Sequence, residues 1–162
     1  MFIKMVMGFK DMFEKGLSLE TAPSIWITIP ILTLLGITFI RISFGLEHHF
    51  SAPLAESSLF VLTSVVLSLQ IIFGVLGYMI MKKMDYFTKY IESTNKSAIS
   101  FALICPGVAF MVFGMFFINY GLVYNNIIDK YSIAYFIFML PFIYIQMKTI
   151  IYFFKLYKKF EL

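Results

Sequence analysis

The chain holds one cysteine, Cys105, among 162 residues. It can form no internal disulfide, and no Cys-x-x-Cys or Cys/His ligand spacing suggests a structural metal. Charge is also scarce: 14% of the residues are Asp, Glu, Lys or Arg, against about 25% in an ordinary soluble domain. Also missing are a Ser/His/Asp set, paired carboxylates inside an apolar run and a glycine-rich phosphate loop, so the expectation is neither an enzyme nor a resident cofactor. In their place stand 60% hydrophobic and 19% aromatic residues. That is more apolar surface than a chain of this size hides in its own core, and the excess calls for lipid.

A spanning helix needs about 20 largely apolar residues, because each adds about 1.5 Å across a hydrocarbon core about 30 Å thick. Four stretches qualify, at about 22–44, 57–81, 98–124 and 131–154. The sequence therefore predicts an all-α integral membrane protein with four transmembrane helices. Residues 156–162 read as a short tail, and no tandem repeat is evident from the letters alone.

The formal net charge of +4 does not point to nucleic acid, since the lysines stand at the ends of apolar runs rather than on one basic face. Lys4, Lys10 and Lys15 precede the first span, Lys82, Lys83, Lys89 and Lys96 separate the second from the third, and Lys148, Lys155, Lys158 and Lys159 close the chain. Only Arg41 and Lys130 lie toward the other side. Positive charge collects on the cytoplasmic face, so both termini are expected in the cytoplasm, in a multi-pass protein of the cell inner (plasma) membrane.

Before the first span, Lys4, Gly8, Asp11 and Lys15 recur at helical spacing among Phe2, Met5, Phe9, Met12 and Phe13. Residues 1–20 thus read as an amphipathic helix on the inner leaflet or, equally, as a linker helix. The opening MFIKMVMGF lacks a small-residue cleavage site, so no processing is expected.

In the third span Ser100, Gly107, Gly114 and Gly121 recur every seven residues and share one face. Such a face either lets helix backbones approach closely or lines a conduit, with Phe110, Phe113, Phe116 and Phe117 as constrictions. Cys105-Pro106-Gly107 interrupts the same helix and predicts a local kink. In the second span Gln70, Gly74 and Gly77 share a face, and a mid-membrane glutamine marks a helix contact or a pathway. Pro30, with Gly36 beyond it, makes the first span a second candidate for a bent helix. At the far end of that span Arg41 has Glu47 and Glu56 as potential partners, or stands as an anion site at a pore mouth. His48 and His49 are weak candidates for haem or for a pH-sensitive surface loop, since adjacent histidines diverge on a helix. The fourth span is aromatic throughout and reads as lipid-facing, with Lys148 and Gln146 as its polar exceptions.

The start of the first span, Leu19-Glu20-Thr21-Ala22-Pro23-Ser24-Ile25-Trp26-Ile27, resembles a helix start in the tellurite-resistance/dicarboxylate transporter superfamily. The third span, SFALICPGVAFMVFGMFFINYGLV, is similar to the TsoY-type membrane proteins allied to that group, some of which are selenoproteins. The resemblance implies helical hairpins around a central path, about ten spans in all, usually in trimers, with this chain matching the C-terminal part. It assigns no substrate residue here.

The expectation is thus a transporter or channel-like protein for a small solute or anion, either part of a larger permease or one of its subunits. Pro30, Arg41, Gln70, Cys105, Pro106, Gly107 and Gly114 are the path candidates. Its partners are the bilayer and either further copies of itself or an additional membrane subunit. The alternatives are an accessory subunit of a redox or respiratory complex and a membrane redox protein using Cys105 or haem.

Overall fold

A computed structural model describes residues 19, 22–50, 56–93 and 97–161. The amphipathic segment expected over residues 1–20 lies outside them, apart from Leu19 in a turn. Among the described residues every element is helical and no strand occurs. Four helices are long and apolar enough to cross a membrane: Ala22–Phe50, Ser57–Lys83, Ala98–Val123 and Ile133–Glu161. The shortest has 26 residues, roughly 40 Å of helix and more than the hydrocarbon thickness.

The first of these begins as a 3-10 helix over Ala22–Ile27 and continues as α1, Thr28–Phe50. α2 is Glu56–Lys83, and a π-helical turn over Phe87–Glu92 follows. The third crosses three geometries: a 3-10 helix Ala98–Leu103, α3 over Ile104–Phe116 and a π-helix Phe117–Val123. α4 is Ile133–Glu161. α1 therefore passes Arg41 and includes His48 and His49, and α4 runs through the stretch expected as a tail. Helical geometry does not stop where apolar character does, because lysines and histidines near a helix C-terminus favour the negative end of its dipole.

Pro30 and Pro106 hold equivalent places, each the third residue of an α-helix that follows a six-residue 3-10 helix. In the first turn a proline's missing N–H costs little, so the expected bends take the form of a change of helix type at these starts. The parallel extends further. Ala22 and Ala98, Ser24 and Ser100, Gly45 and Gly121, Phe60 and Phe136, Gln70 and Gln146, Lys82 and Lys158, and Lys83 and Lys159 all stand at the same separation of 76 that divides Thr33 from Ala109. The starts of the spanning helices keep this register, Ala22 with Ala98 and Ser57 with Ile133, while their ends do not, so the described residues carry the trace of two similar helical hairpins.

The regular glycine face of the third span is a contact surface. A Cβ on Gly107 would collide with Thr149, and one on Gly114 would collide with the ring of Phe142, both on α4. On Gly121 it would meet the Thr63 hydroxyl of α2 at 2.7 Å. Small residues let these backbones close, which is how helices gain van der Waals contact in lipid. The π-helix at the far end frees carbonyls that side chains then satisfy: Asn119 Nδ2 donates to Met115 O at 2.8 Å and Asn125 Nδ2 to Gly121 O at 2.8 Å. Asn126, at φ 55°, ends the segment in the left-handed region that asparagine tolerates.

Two apolar clusters mark the ends of the bundle. One, around Phe113, Ile118, Leu122, Tyr135 and Phe142, fills the half away from the lysines. The other, at the lysine-rich end, buries Ala22, Met81, Tyr86, Ile91 and Leu103. Tyr86 shares a 2.9 Å hydrogen bond with the Ser100 hydroxyl, and Lys159 Nζ donates to Tyr90 O at 2.8 Å. The lysine-bearing connection is thus fastened to the bundle rather than draped beneath it. α4 is the least covered of the four, with 11% of its spanning window buried.

Candidate functional site

Gln70 sits on the inward face of α2 with no exposed surface. Its Nε2 donates to Thr33 Oγ1 of α1 at 2.9 Å. The Thr33 hydroxyl lies 3.0 Å from Ile29 O in its own helix and 3.2 Å from Ala109 O in α3, and its single proton serves one or the other. One amide therefore ties three helices together. Its other end is different: Gln70 Oε1 is buried with no hydrogen-bond partner. An unpaired buried acceptor costs about 1–3 kcal/mol, and such groups mark a ligand, a water or a strain point.

Gln70 forms the closed end of a cavity of about 460 Å³ on the lysine-rich side of the bundle. Trp26 and Ile29 supply one wall, Ile71, Gly74, Val75 and Tyr78 a second, Leu103, Pro106, Gly107 and Phe110 a third, and Tyr144, Ile145, Lys148, Thr149 and Tyr152 the last. Trp26 is held in place by a hydrogen bond from its Nε1 to Gly74 O at 3.0 Å, and the bare backbone of Gly77 leaves room for its ring. α2 and α4 scarcely touch, and the residues they present on this side, Ile71, Val75, Tyr78, Tyr144 and Lys148, are exposed. The cavity accordingly opens sideways between these two helices. The Lys148 ammonium stands 5.7 Å from the centre of the Tyr144 ring at this opening.

One turn beyond Gln70 the interior is filled. Phe113 is completely buried, and a Cβ on Gly36 would lie 2.5 Å from its ring and 3.3 Å from Val66. The cavity ends at the Gln70 amide, with this aromatic layer behind it.

Of the path candidates, Gln70, Pro106 and Gly107 line the cavity. Gly114 is buried under Phe142 and stands outside this cavity's lining, its missing side chain seating that ring. Pro30 is partly buried in the first turn of α1, outside the cavity wall, and Cys105 faces outward. Arg41 is exposed and makes no ion pair with Glu47. Six residues of helix separate those two, about 120° around the axis, so their side chains diverge; the side chain of Glu56 lies outside the described residues. His48 and His49 are exposed in the last turn of α1, and among the described residues no group of three His, Cys, Asp or Glu converges on a metal position.

Thr33, Tyr144 and Thr149 carry the site without standing out in the sequence. Beside the path candidates, Trp26, the single tryptophan, and Lys148, the one charge between residues 131 and 154, gave a signal. No protein family, no curated protein and no solved structure matches the chain.

Proposed function

We propose that this chain is a transporter or channel-like protein of the plasma (inner) membrane that moves a small solute or anion, with both termini on the cytoplasmic side. The observation that carries the reading is the buried, unpartnered amide oxygen of Gln70 at the closed end of the cavity. Among the described residues two amide oxygens are buried without a partner, those of Gln70 and Gln146, and only Gln70 belongs to the cavity lining, where a binding path uses such an acceptor. The cavity lies at the lysine-rich end, so under the positive-inside rule it is the cytoplasmic vestibule. The layer of Phe113, Gly36 and Val66 is then the closed barrier above it. α4, the least covered helix, is the face available to lipid or to a further subunit.

The reading is tested by uptake into proteoliposomes of a radiolabelled panel of halide, monocarboxylates and dicarboxylates. Wild-type protein should carry at least one of them faster than protein-free vesicles. Val75→Trp, a bulky change at an exposed position of the cavity mouth, should lower that flux severalfold. A panel on which wild type matches empty vesicles contradicts the proposal.

A further inference from the structure

The polar groups of the cavity restrict what it takes, and their arrangement goes a step beyond transport as such while resting on the reading of this cavity as the binding site. Among the described residues Lys148 is the only charged side chain in the lining, and it stands at the opening. Among the described residues no Asp or Glu faces it from any of the four walls. An organic cation therefore finds no partner there, and an anion finds one. Deeper in the cavity Gln70 Oε1 is an acceptor without a donor. Between them the wall is apolar, with Ile29, Val75, Phe110 and Ile145 contributing hydrocarbon and Trp26 a broad ring. The lining spans residues 70 to 78 on α2 and 144 to 152 on α4, about 12 Å of helix rise.

We infer that this cavity binds a monoanionic amphiphile carrying a hydroxyl at the end remote from its charge, entering from the bilayer between α2 and α4. The anion pairs with Lys148, the apolar body lies along Val75 and Phe110, and the hydroxyl donates to Gln70 Oε1. Gln70 has no exposed area in this state, so the last contact requires a side-chain shift at the closed end on binding. The sideways opening is bounded by Ile71, Val75 and Tyr144, with Lys148 as its one charge among the described residues, which favours an amphiphile dissolved in lipid with its charged group near Lys148 over a solute arriving from water.

Trp26 lies in the wall and is the chain's one tryptophan, so its emission reports occupancy directly. With the whole protein in nanodiscs, ω-hydroxydodecanoate should give a saturable change in emission. Dodecanoate, lacking the donor, should bind about tenfold more weakly, and ω-hydroxydodecylamine, with the opposite charge, should give no saturable change. Lys148→Gln, at an exposed position that leaves the fold intact, should weaken the hydroxy acid about tenfold, as expected for loss of a charged hydrogen-bond partner. Gln70→Met should remove the preference for the hydroxylated over the plain acid.

Acid and amine binding alike to wild type, or an affinity unchanged by Lys148→Gln, would overturn the inference. Hydroxyphenylpropanoate carries the same two groups but stays in water and should bind more weakly; tighter binding than the long acid would overturn the bilayer route. Saturable binding without flux contradicts the transport reading and leaves the site standing. Flux of other solutes with no such binding contradicts this inference alone.

Discussion

Gln70 and Thr33, from two different helices, meet at 2.9 Å with no exposed surface on the glutamine, and the same threonine hydroxyl lies within reach of a carbonyl of the third span. At this junction, on the floor of the cavity, polar side-chain contacts join α1, α2 and α3. Thr33→Val keeps the shape and removes the acceptor, leaving both ends of the amide unpaired. The expected loss of stability is about 1–2 kcal/mol, read from detergent-titrated unfolding, while Thr33→Ser should fall near wild type. Equal stability of the valine and serine variants would count against the junction.

The glycines of the bundle divide sharply by surroundings. At Gly107 an added Cβ collides with Thr149, while at Gly45 nothing stands within 4 Å. Gly107→Ala should therefore lower stability by about 1–3 kcal/mol through overpacking. Gly45→Ala, in the exposed run of α1, should be neutral or stabilising by up to about 1 kcal/mol through helix propensity. The two variants compared by the same thermal assay separate close approach from glycine content as such.

The orientation proposed from the lysines is open to direct chemistry. In a Cys105→Ser background, cysteines at Asn126 and at Glu161 should be labelled by an impermeant maleimide from opposite sides of intact cells or spheroplasts. Asn126→Cys should react from outside and Glu161→Cys only after lysis. The reverse pattern would turn the cavity to the exterior and remove its reading as a cytoplasmic vestibule.

What was legible in the sequence was whatever depends on bulk polarity. The four apolar helices and the lysine-poor far end follow from composition along the chain, and the glycine spacing at 107, 114 and 121 foretold a smooth helix face. What that face met was not legible, because Thr149 and Phe142 come from a helix whose rotation is set only by assembly. Gln70 was recognisable as a mid-span amide, yet its partner Thr33 and its unpaired oxygen required three helices in place. The repeat was hidden for another reason. Lipid-facing positions accept any large apolar residue, so the two hairpins retain Pro30 and Pro106, Gln70 and Gln146, and the terminal lysine pairs while the rest drifts. The π-helix at Phe117–Val123 had no signal beyond the asparagines that now satisfy its carbonyls.

The central claim is that the cavity is one half of a path closed by the Phe113 layer. Its most direct test is solute flux through proteoliposomes carrying Phe113→Leu and Phe113→Ala beside wild type. Removing a fully buried ring lowers stability by about 3–5 kcal/mol for the alanine variant, so the leucine variant keeps the comparison open should alanine fail to fold. The account predicts flux rising from wild type to leucine to alanine, with folded protein verified by monodisperse elution. Folded variants whose flux stays at the wild-type level, or falls below it, would contradict it.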